Sequence, residues 1–258
     1  MACILLDIDG VLHVSGVPIP GAVDAVARLR EQGHALRFVT NNSTRLRETL
    51  ARELRELGFD LEDDELQTTP RAAARELAGK RVLALVMGAI VPDLEGIDLV
   101  GDRADAVLLG GCDETIEPNQ VFSWMNLGRA FAELQLGAEL YCLHKNKWWQ
   151  TSRGPLLDAG AFVAGLEYAT GVDATILGKP SPAYFAAALD ALGAEPELTW
   201  MVTDDLEADV RGAQSFGMRT ALVRTGKFRP ETLESSGLVP EIVLSSLAHF
   251  PEWLERSL

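Results

Sequence analysis

Cysteine is scarce in this 258-residue sequence, which contains only Cys3, Cys112 and Cys142. Three widely spaced cysteines without a CxxC pair give no sign of a disulfide framework or of a cysteine-based zinc site. Long apolar runs are lacking too, since none reaches the roughly 18 residues that a membrane span requires. The N-terminus also lacks the basic flank and cleavage site of a secretory signal. We therefore expect a cytoplasmic protein.

Basic residues are outnumbered: 23 lysines and arginines face 38 aspartates and glutamates, for a net charge of −15. This charge repels nucleic-acid backbones and anionic lipid head groups at long range, so we expect neither nucleic acid nor membrane as a partner. Apolar residues are plentiful at 47% and can build a sizeable core.

Short apolar runs and amphipathic patterns alternate along the chain, which predicts an α/β protein with a parallel sheet. The first third reads as strand CILLDID, helix GAVDAVARLREQG, strand ALRFVTNN and helix RLRETLARELRELG. The acidic stretch DLEDDELQTTP reads as a solvated linker, with Thr69 as the cap of a following short helix and Pro70 as its first residue. The alternation returns from DATILGKP, through SPAYFAAALDALG, LTWMVTDD and EADVRGAQSFG, to TALVRTG.

The segment 80–177 has its own strand and helix patterns. They are VLALVM, DAVLLGG, NQVFSWMNLGRAFAELQLG, AELYCLHK and PLLDAGAFVAGLEYATG. The simplest architecture is one parallel sheet interrupted by an inserted α/β domain.

Polar residues collect where four predicted strands end. They are Asp7 and Asp9, then Thr40, Asn41 and Asn42, then Lys179, and finally Asp204 and Asp205. Because the carboxyl ends of parallel strands meet at one edge of a sheet, we expect these groups to lie together. Carboxylates, a hydroxyl and an ammonium are the set that holds a metal ion beside a phosphoryl group.

Asp7 and Asp9 are two residues apart, so in extended chain both project to one face, and Gly10 lets the backbone turn away. Two crowded carboxylates repel each other unless a cation lies between them, and Mg²⁺ is the ion that prefers few carboxylates together with water and phosphate. The pair taken alone also fits a simple turn cap. The other three strand ends favour the metal site.

The segments DIDG at 7–10, VTNNS at 39–43, GKPSP at 178–182 and TDDLEAD at 203–209 resemble the four motifs of the haloacid dehalogenase superfamily of phosphatases. An insert of roughly a hundred residues between the second and third motifs resembles its type-2-capped branch, subclass IIA. HKNKWWQ and GAFVAGLEYATG strengthen that likeness. The resemblance implies a doubly wound, Rossmann-like core at 1–79 and 178–258 with an α/β cap at 80–177. It also implies a magnesium-dependent phosphatase for a small phosphorylated metabolite, and a homodimer formed through the cap.

The resemblance also implies a role for each candidate residue. Asp7 is the nucleophile that forms an aspartyl-phosphate, and Asp9 is the general acid and base. Thr40 and Lys179 bind the phosphoryl oxygens. The remaining roles are Mg²⁺ ligation by Asp7, Asp204 and the backbone carbonyl of Asp9, orientation of a metal-bound water or Lys179 by Asp209, and phosphate binding by backbone amides around Asn41 and Asn42.

Thr203 departs from the family, which normally has glycine there. If threonine is forced into a glycine conformation, we expect strain of about 1–3 kcal/mol and a displaced Asp204. Asp205 reads as a helix cap, and His13 as a solvent-facing turn residue.

In the insert, Lys145 is a candidate substrate-binding residue, with Lys147 beside it and Trp148 and Trp149 able to stack on a ring. The alternative is that the lysines are solvated and one tryptophan is core.

Two other functions fit parts of the pattern. A signalling receiver domain also combines an acid pair, a phosphorylatable aspartate, a threonine and a lysine, but it lacks an acid two residues after the nucleophile and is about half this length. Asp9 therefore argues against it. A phosphate-binding protein with weak catalysis is the other alternative, and it depends on Thr203.

Overall fold

The computed structural model describes residues 2–113, 120–151 and 154–257. Its strands are β1 Cys3–Asp7, β2 His13–Val14, β3 Val17–Pro18, β4 Ala35–Thr40, β5 Leu66–Thr68, β6 Arg81–Leu85, β7 Asp98–Leu99, β8 Ala106–Leu109, β9 Glu139–Cys142, β10 Trp148–Thr151, β11 Gly154–Leu157, β12 Thr175–Ile176, β13 Thr199–Thr203, β14 Arg219–Val223 and β15 Ile242–Leu244. Its α-helices are α1 Ala22–Glu31, α2 Arg47–Glu56, α3 Thr69–Glu76, α4 Trp124–Gln135, α5 Gly160–Thr170, α6 Pro182–Leu192, α7 Arg211–Ser215, α8 Pro230–Ser236 and α9 Phe250–Ser257.

The first sheet is parallel and has the order β15-β14-β13-β1-β4-β5. Strand β1 pairs with β4 on one side and with β13 on the other, so the start of the chain lies between strands of early and late sequence. Alternate residues of β1 point to opposite faces: Ile4 and Leu6 pack in the cluster that includes Leu29 of α1, and Leu5 packs with Phe185 of α6. Both faces are covered by helices, which explains why CILLD is apolar until Asp7.

The second sheet is also parallel and has the order β12-β9-β8-β6-β7. All of its strands lie between residues 81 and 176. Helices α4 and α5 pack through Leu134 and Val163 in one core cluster with Leu109 and Leu140 of the sheet. The protein is therefore an α/β protein whose doubly wound core is accompanied by a second α/β unit. No helix within the described ranges is long and apolar enough to cross a membrane.

Strand β12 differs from the prediction. The segment DATILGKP was expected to rejoin the first sheet, but Thr175 and Ile176 pair with Tyr141 and Cys142 of β9. The reason is that α5 leads the chain back beside the strand that precedes it, as in a parallel βαβ unit. Lys179 therefore lies in the segment that connects the two sheets and does not follow a strand of the first sheet.

Three local predictions were also wrong. The segment DLEDDELQTTP is not wholly a linker, because Leu66–Thr68 pairs with β4 as a buried edge strand. The cap of α3 is Thr68, one residue before the predicted Thr69. The helix predicted over PLLDAGAFVAGLEYATG begins at Gly160, because Gly154–Leu157 instead forms a hairpin with β10.

Candidate active site

A cavity of about 120 Å³ opens at the carboxyl ends of β1, β4 and β13. The predicted site residues on its wall are Asp7, Asp9, Thr40, Asn41, Asn42, Lys179, Asp204 and Asp209. Segments separated by as many as two hundred residues thus meet at one place. Side chains from the second sheet complete the wall, among them His144, Trp149 and Asp158.

Lys179 is a buried cation on the wall of this cavity. Its Nζ lies 2.7 Å from Asp7 Oδ1 and 2.9 Å from Asp209 Oδ2. Burial alone would lower the Lys179 pKa, but the charges of Asp209 and Asp7 outweigh it and raise that pKa, so the ammonium is held protonated. Burial raises the pKa of Asp7, against the effect of Lys179. Burial also raises the pKa of Asp209, to about 7.

Asp204 has the properties expected of a cation ligand. Its carboxylate is buried, and Oδ2 accepts a hydrogen bond from the Lys227 backbone N–H at 2.6 Å, whereas Oδ1 has no partner among the described residues. Burial and the charge of Asp7 raise the pKa of Asp204 well above its ordinary value. A divalent cation between Asp7 and Asp204 would relieve both penalties.

The described residues contain no group of three or more histidine, cysteine, aspartate or glutamate side chains that could hold a metal by themselves. Two carboxylates, a backbone carbonyl and water are too few protein ligands for a structural Zn²⁺ site, but they suit Mg²⁺, which keeps several waters. The residues present therefore fit Mg²⁺.

Two glycines make room for Asp204. Gly10 has φ +86° and Gly226 has φ +54°, and a Cβ built on either would come within 1.9 Å of Asp204 Oδ2. The Gly226 loop, which also carries Thr225 and Lys227, follows β14 and was not assigned to the site from the sequence. Lys227 Nζ lies 2.9 Å from Asp205 Oδ2, and Thr225 Oγ1 donates to Gly10 O. The sequence could have indicated this loop, because TGK at 225–227 ends a fifth predicted strand, TALVRTG.

The predicted strain at Thr203 is absent. Among the described non-glycine residues, positive φ is found only at Ser15 and Arg103. Thr203 is fully buried in β13, its Oγ1 donates to Asp209 Oδ2 at 2.6 Å, and it accepts from the Asp205 backbone N–H at 2.9 Å. The threonine is therefore part of the hydrogen-bond chain that runs through Asp209 to Lys179.

Thr40 ends β4 with its hydroxyl at the cavity wall, where Oγ1 accepts the Asn42 backbone N–H at 2.9 Å. The Asn42 N–H, which was predicted to bind phosphate, therefore already donates a hydrogen bond within the loop. The Asn41 side chain bonds the backbone N–H and carbonyl of Lys179, both at 2.9 Å. Asn41 thus fixes Lys179 in place.

Asp9 is the exposed carboxylate of the cavity, in contrast to buried Asp7. His13 Nδ1 lies 4.0 Å from Asp9 Oδ1. The prediction that His13 faces solvent was wrong: its ring is buried beside the loop, in the short hairpin of β2 and β3. The prediction for Asp205 is confirmed, because its side chain caps the π-helical turn Leu206–Val210 by accepting from the Glu207 and Ala208 N–H groups.

Lys145 does not lie on the wall of this cavity. Its Nζ lies 2.7 and 2.6 Å from the two carboxylate oxygens of Glu167 on α5, so the charge expected to meet substrate is paired within the second unit. Lys147 is exposed and reaches across to Glu207 of the first unit. Of the adjacent tryptophans, Trp149 lines the cavity and Trp148 faces a neighbouring one.

A hydrogen-bond cluster joining the two units was missed from the sequence. Ser43 Oγ accepts from the Gly111 N–H at 2.8 Å and lies 2.9 Å from His144 Nε2. Asp158 Oδ1 is 3.8 Å from the same nitrogen. Burial lowers the pKa of His144, and the nearby Asp158 does not reverse this. These contacts depend on how the two units pack together, and local sequence patterns do not predict that packing.

The family model described as haloacid dehalogenase-like hydrolase matches residues 4–100, and one described as HAD-hydrolase-like matches residues 176–250. The chain is 37% identical over 251 residues to haloacid dehalogenase-like hydrolase domain-containing protein 2 of Bos taurus, covering 96% of this chain and 94% of that protein. It is 38% identical over 256 residues to phospholysine phosphohistidine inorganic pyrophosphate phosphatase of Xenopus laevis, covering 95% and 92%.

Solved structures of phosphatases are also similar to this chain. A p-nitrophenyl phosphatase from Archaeoglobus fulgidus superimposes with a TM-score of 0.88 at 29% identity, over 98% of both chains. A glycerol phosphate phosphatase from Mycobacterium tuberculosis in complex with magnesium gives a TM-score of 0.83 at 29% identity, over 95% of this chain and 75% of that one.

Proposed function

The chain belongs to the haloacid dehalogenase superfamily, in its type-2-capped branch, and is a phosphoric monoester hydrolase. We propose that it is a magnesium-dependent phosphatase that acts on a small phosphorylated metabolite through an aspartyl-phosphate at Asp7. The observation that carries the proposal is the arrangement of Asp7, Lys179 and Asp209, with the under-coordinated Asp204 on the wall of the same cavity.

In the first step, a carboxylate oxygen of Asp7 forms a bond to phosphorus while the bond to the leaving oxygen breaks, and Asp9 gives that oxygen a proton. In the second step, Asp9 takes a proton from water, whose oxygen bonds to phosphorus as the bond to Asp7 breaks. Lys179 and the Thr40 hydroxyl stabilise the phosphoryl oxygens. Asp7, Asp204 and the Asp9 carbonyl would hold Mg²⁺, which neutralises negative charge on the transferring group.

The segment 80–177 is proposed to act as a cap that shapes the substrate pocket and limits water access. Its contribution of His144, Trp149 and Asp158 to the cavity wall supports this division. The remaining volume of about 120 Å³ favours a compact substrate.

The receiver-domain alternative has no support beyond the shared residue types. The weak-binding alternative rested on strain at Thr203, and that residue is instead hydrogen-bonded in ordinary backbone geometry.

Hydrolysis of p-nitrophenyl phosphate, measured across a Mg²⁺ titration, tests the proposal. We expect steady release of p-nitrophenol that chelation abolishes, and a screen of metabolite phosphates would then rank the substrates. Asp204→Ala should raise the Mg²⁺ requirement strongly, whereas the matched control Asp205→Asn, which removes the neighbouring charge, should leave it near wild type. Turnover that ignores Mg²⁺, or equal responses of the two variants, would refute the metal assignment.

A homodimer formed through the cap is proposed as the working assembly. Large side chains are exposed along α4 and at one end of it, and a tyrosine is exposed on neighbouring α5: Trp124, Met125, Phe131, Leu136 and Tyr168. Apolar surface of this kind commonly marks a protein interface.

A further inference from the structure

A further cavity, which is rich in arginine, lies apart from the candidate active site. It measures about 320 Å³ and is formed by α3, the start of α6 and the edge strand β5. Four arginines line it: Arg37, Arg47, Arg71 and Arg75. Only two carboxylates, Asp64 and Glu76, share the wall. An excess of positive charge is thus concentrated here in a chain whose net charge is −15.

The donors of these arginines are largely uncommitted. Arg71 and Arg75 are exposed on α3 and make no hydrogen bond or ion pair with any residue that the structure describes. Among the described residues, the acceptors of the Arg37 side chain are the neutral Gln67 Oε1 and Asp64 carbonyl oxygen. Arg47 donates one side-chain bond to the Asp63 carbonyl, while its buried Nε has no acceptor within the described ranges.

Two helix N-termini reach the same cavity without side-chain caps. Thr68 precedes α3 and Ser181 precedes α6, and both residues line the cavity. Neither hydroxyl caps its helix, and the Thr68 hydroxyl is fully buried without a partner in the described part of the chain. The positive ends of two helices and two unused hydroxyls therefore accompany the guanidinium groups.

Arg37 is the cation that this crowding affects most directly. Burial lowers the pKa of Arg37 and the charge of Arg75 acts in the same direction, whereas Tyr184, Asp64 and Glu65 act in the opposite direction without reversing the shift. A bound anion would offset both effects.

We propose that this cavity is a binding site for a compact tetrahedral oxyanion, either free or as the phosphoryl group of a metabolite. Planar guanidinium groups pair with such an anion through two parallel hydrogen bonds, and several of them from different directions suit a tetrahedral group. The site is separate from the catalytic cavity, with which it shares no lining residue.

The two sites are nevertheless in contact through one side chain. Tyr184 lines the arginine cavity, and its hydroxyl accepts the Thr40 backbone N–H at 3.1 Å and lies 3.0 Å from the Thr40 carbonyl oxygen. Gln67, held by Arg37, donates to the Tyr184 carbonyl at 2.7 Å. An anion on Arg37 would therefore lie beside Gln67 and Tyr184, which hold the end of β4 at Thr40.

Calorimetric titration with sulfate, at constant ionic strength set with chloride, tests the proposal in the wild type and in R71Q, R75Q and the double variant. The wild type should show a binding component with a dissociation constant of about 1 mM or below. Each single variant should weaken that component at least about fivefold, because a charge-assisted hydrogen bond is lost, and the double variant should abolish it. Arg28→Gln on α1, a matched removal of one charge, should bind as the wild type does.

Phenylphosphonate, which cannot be hydrolysed, distinguishes the two sources of the anion. Tighter binding than sulfate at the arginine-dependent component identifies a phosphorylated metabolite, and equal binding identifies the free ion. Hydrolysis of p-nitrophenyl phosphate without sulfate should be unchanged in R71Q and R75Q, which separates this site from the catalytic one. Identical sulfate isotherms in the wild type and the double variant would overturn the proposal.

Discussion

Thr203 occupies a position where the family normally has glycine, and its hydroxyl makes hydrogen bonds that a glycine could not make. The strand end needs no positive φ, so a threonine fits, and its Oγ1 connects Asp209 to the Asp205 amide. Asp209 in turn bonds Lys179, whose ammonium holds Asp7. The position of the proposed nucleophile thus depends on a residue that touches no substrate.

Thr203→Gly should therefore be harmful. The change leaves buried Asp209 without one donor and the Asp205 amide without an acceptor, which costs about 1–3 kcal/mol for each group left unsatisfied. Urea unfolding should show this loss, and kcat/KM should fall. Thr203→Ser keeps the hydroxyl and should stay near wild type on both measures. A glycine variant as stable and active as the parent would contradict this reading.

His144 should make stability depend on pH. Burial lowers its pKa, so the folded protein keeps the ring neutral where the unfolded chain, titrating near 6.5, binds a proton. The unfolded chain takes up a proton at this residue as the pH falls below about 6.5, so the contribution of His144 to stability is lost there by up to about 1.4 kcal/mol per pH unit. Asp209 contributes with the opposite sign, because its raised pKa makes the folded state bind a proton more tightly than the unfolded one.

Urea unfolding at several pH values between 7.5 and 5.5 checks this expectation. His144→Gln should remove the loss that His144 causes, so the stability of this variant relative to the wild type should rise as the pH falls, whereas the same change at exposed His249 should leave the wild-type profile unchanged. A profile that is equally steep in both variants would show that the loss comes from other groups.

Loops at the ends of strands, more than the strands themselves, define this site. Asp204 fits between Gly10 and Gly226 because neither has a Cβ. The loop after β14 adds Lys227, whose amide bonds Asp204 and whose ammonium bonds Asp205. The proposed metal ligand is therefore positioned in part by a strand end that bears no acidic residue.

Gly226→Ala should displace Asp204 and raise the Mg²⁺ concentration needed for half-maximal activity at least about tenfold, a change of about 1.4 kcal/mol. Gly237→Ala is the matched control: its φ is also positive, at +68°, but no atom lies within 4 Å of the added methyl. Both variants carry the backbone cost, and only the first should change the metal titration. The same Mg²⁺ curve for both would mean that the close approach to Asp204 has no effect on metal binding.

The placement of Asp7, Thr40 and Asp204 at one edge could be predicted because each follows a buried apolar strand of a parallel sheet. Lys179 was predicted at the same edge for a reason that was wrong, because the strand before it, β12, belongs to the second sheet. The ion pair of Lys145 was not predicted because its partner, Glu167, lies on a helix 22 residues away. The contact of Ser43 with His144 could not be predicted, because it depends on how the units built on the two sheets pack together.

The described residues form two α/β units that meet over the candidate catalytic cavity, and the unit proposed as the cap carries large exposed aromatic side chains on α4 and α5. Trp124 is 91% exposed and Tyr168 is 94% exposed, which is costly for a monomer in water. We expect a dimer by light scattering, and Trp124→Glu should shift it toward monomer. The change Leu198→Glu, at an exposed leucine of the first unit, should leave the dimer intact. A monomeric wild type would contradict the proposed assembly.

Trapping the covalent intermediate would show directly whether Asp7 is the nucleophile. Asp9→Asn removes the proposed base for the second step, while p-nitrophenol leaves without needing an acid, so the phosphorylated enzyme should accumulate. Acid quenching, borohydride reduction of the acyl phosphate and peptide mass spectrometry would then locate the modified residue. We expect reduction at Asp7 that depends on substrate and Mg²⁺ and is absent when Asp7 is also changed to Asn. Modification at Asp204 or Asp209, or persistence of the signal without Asp7, would contradict it.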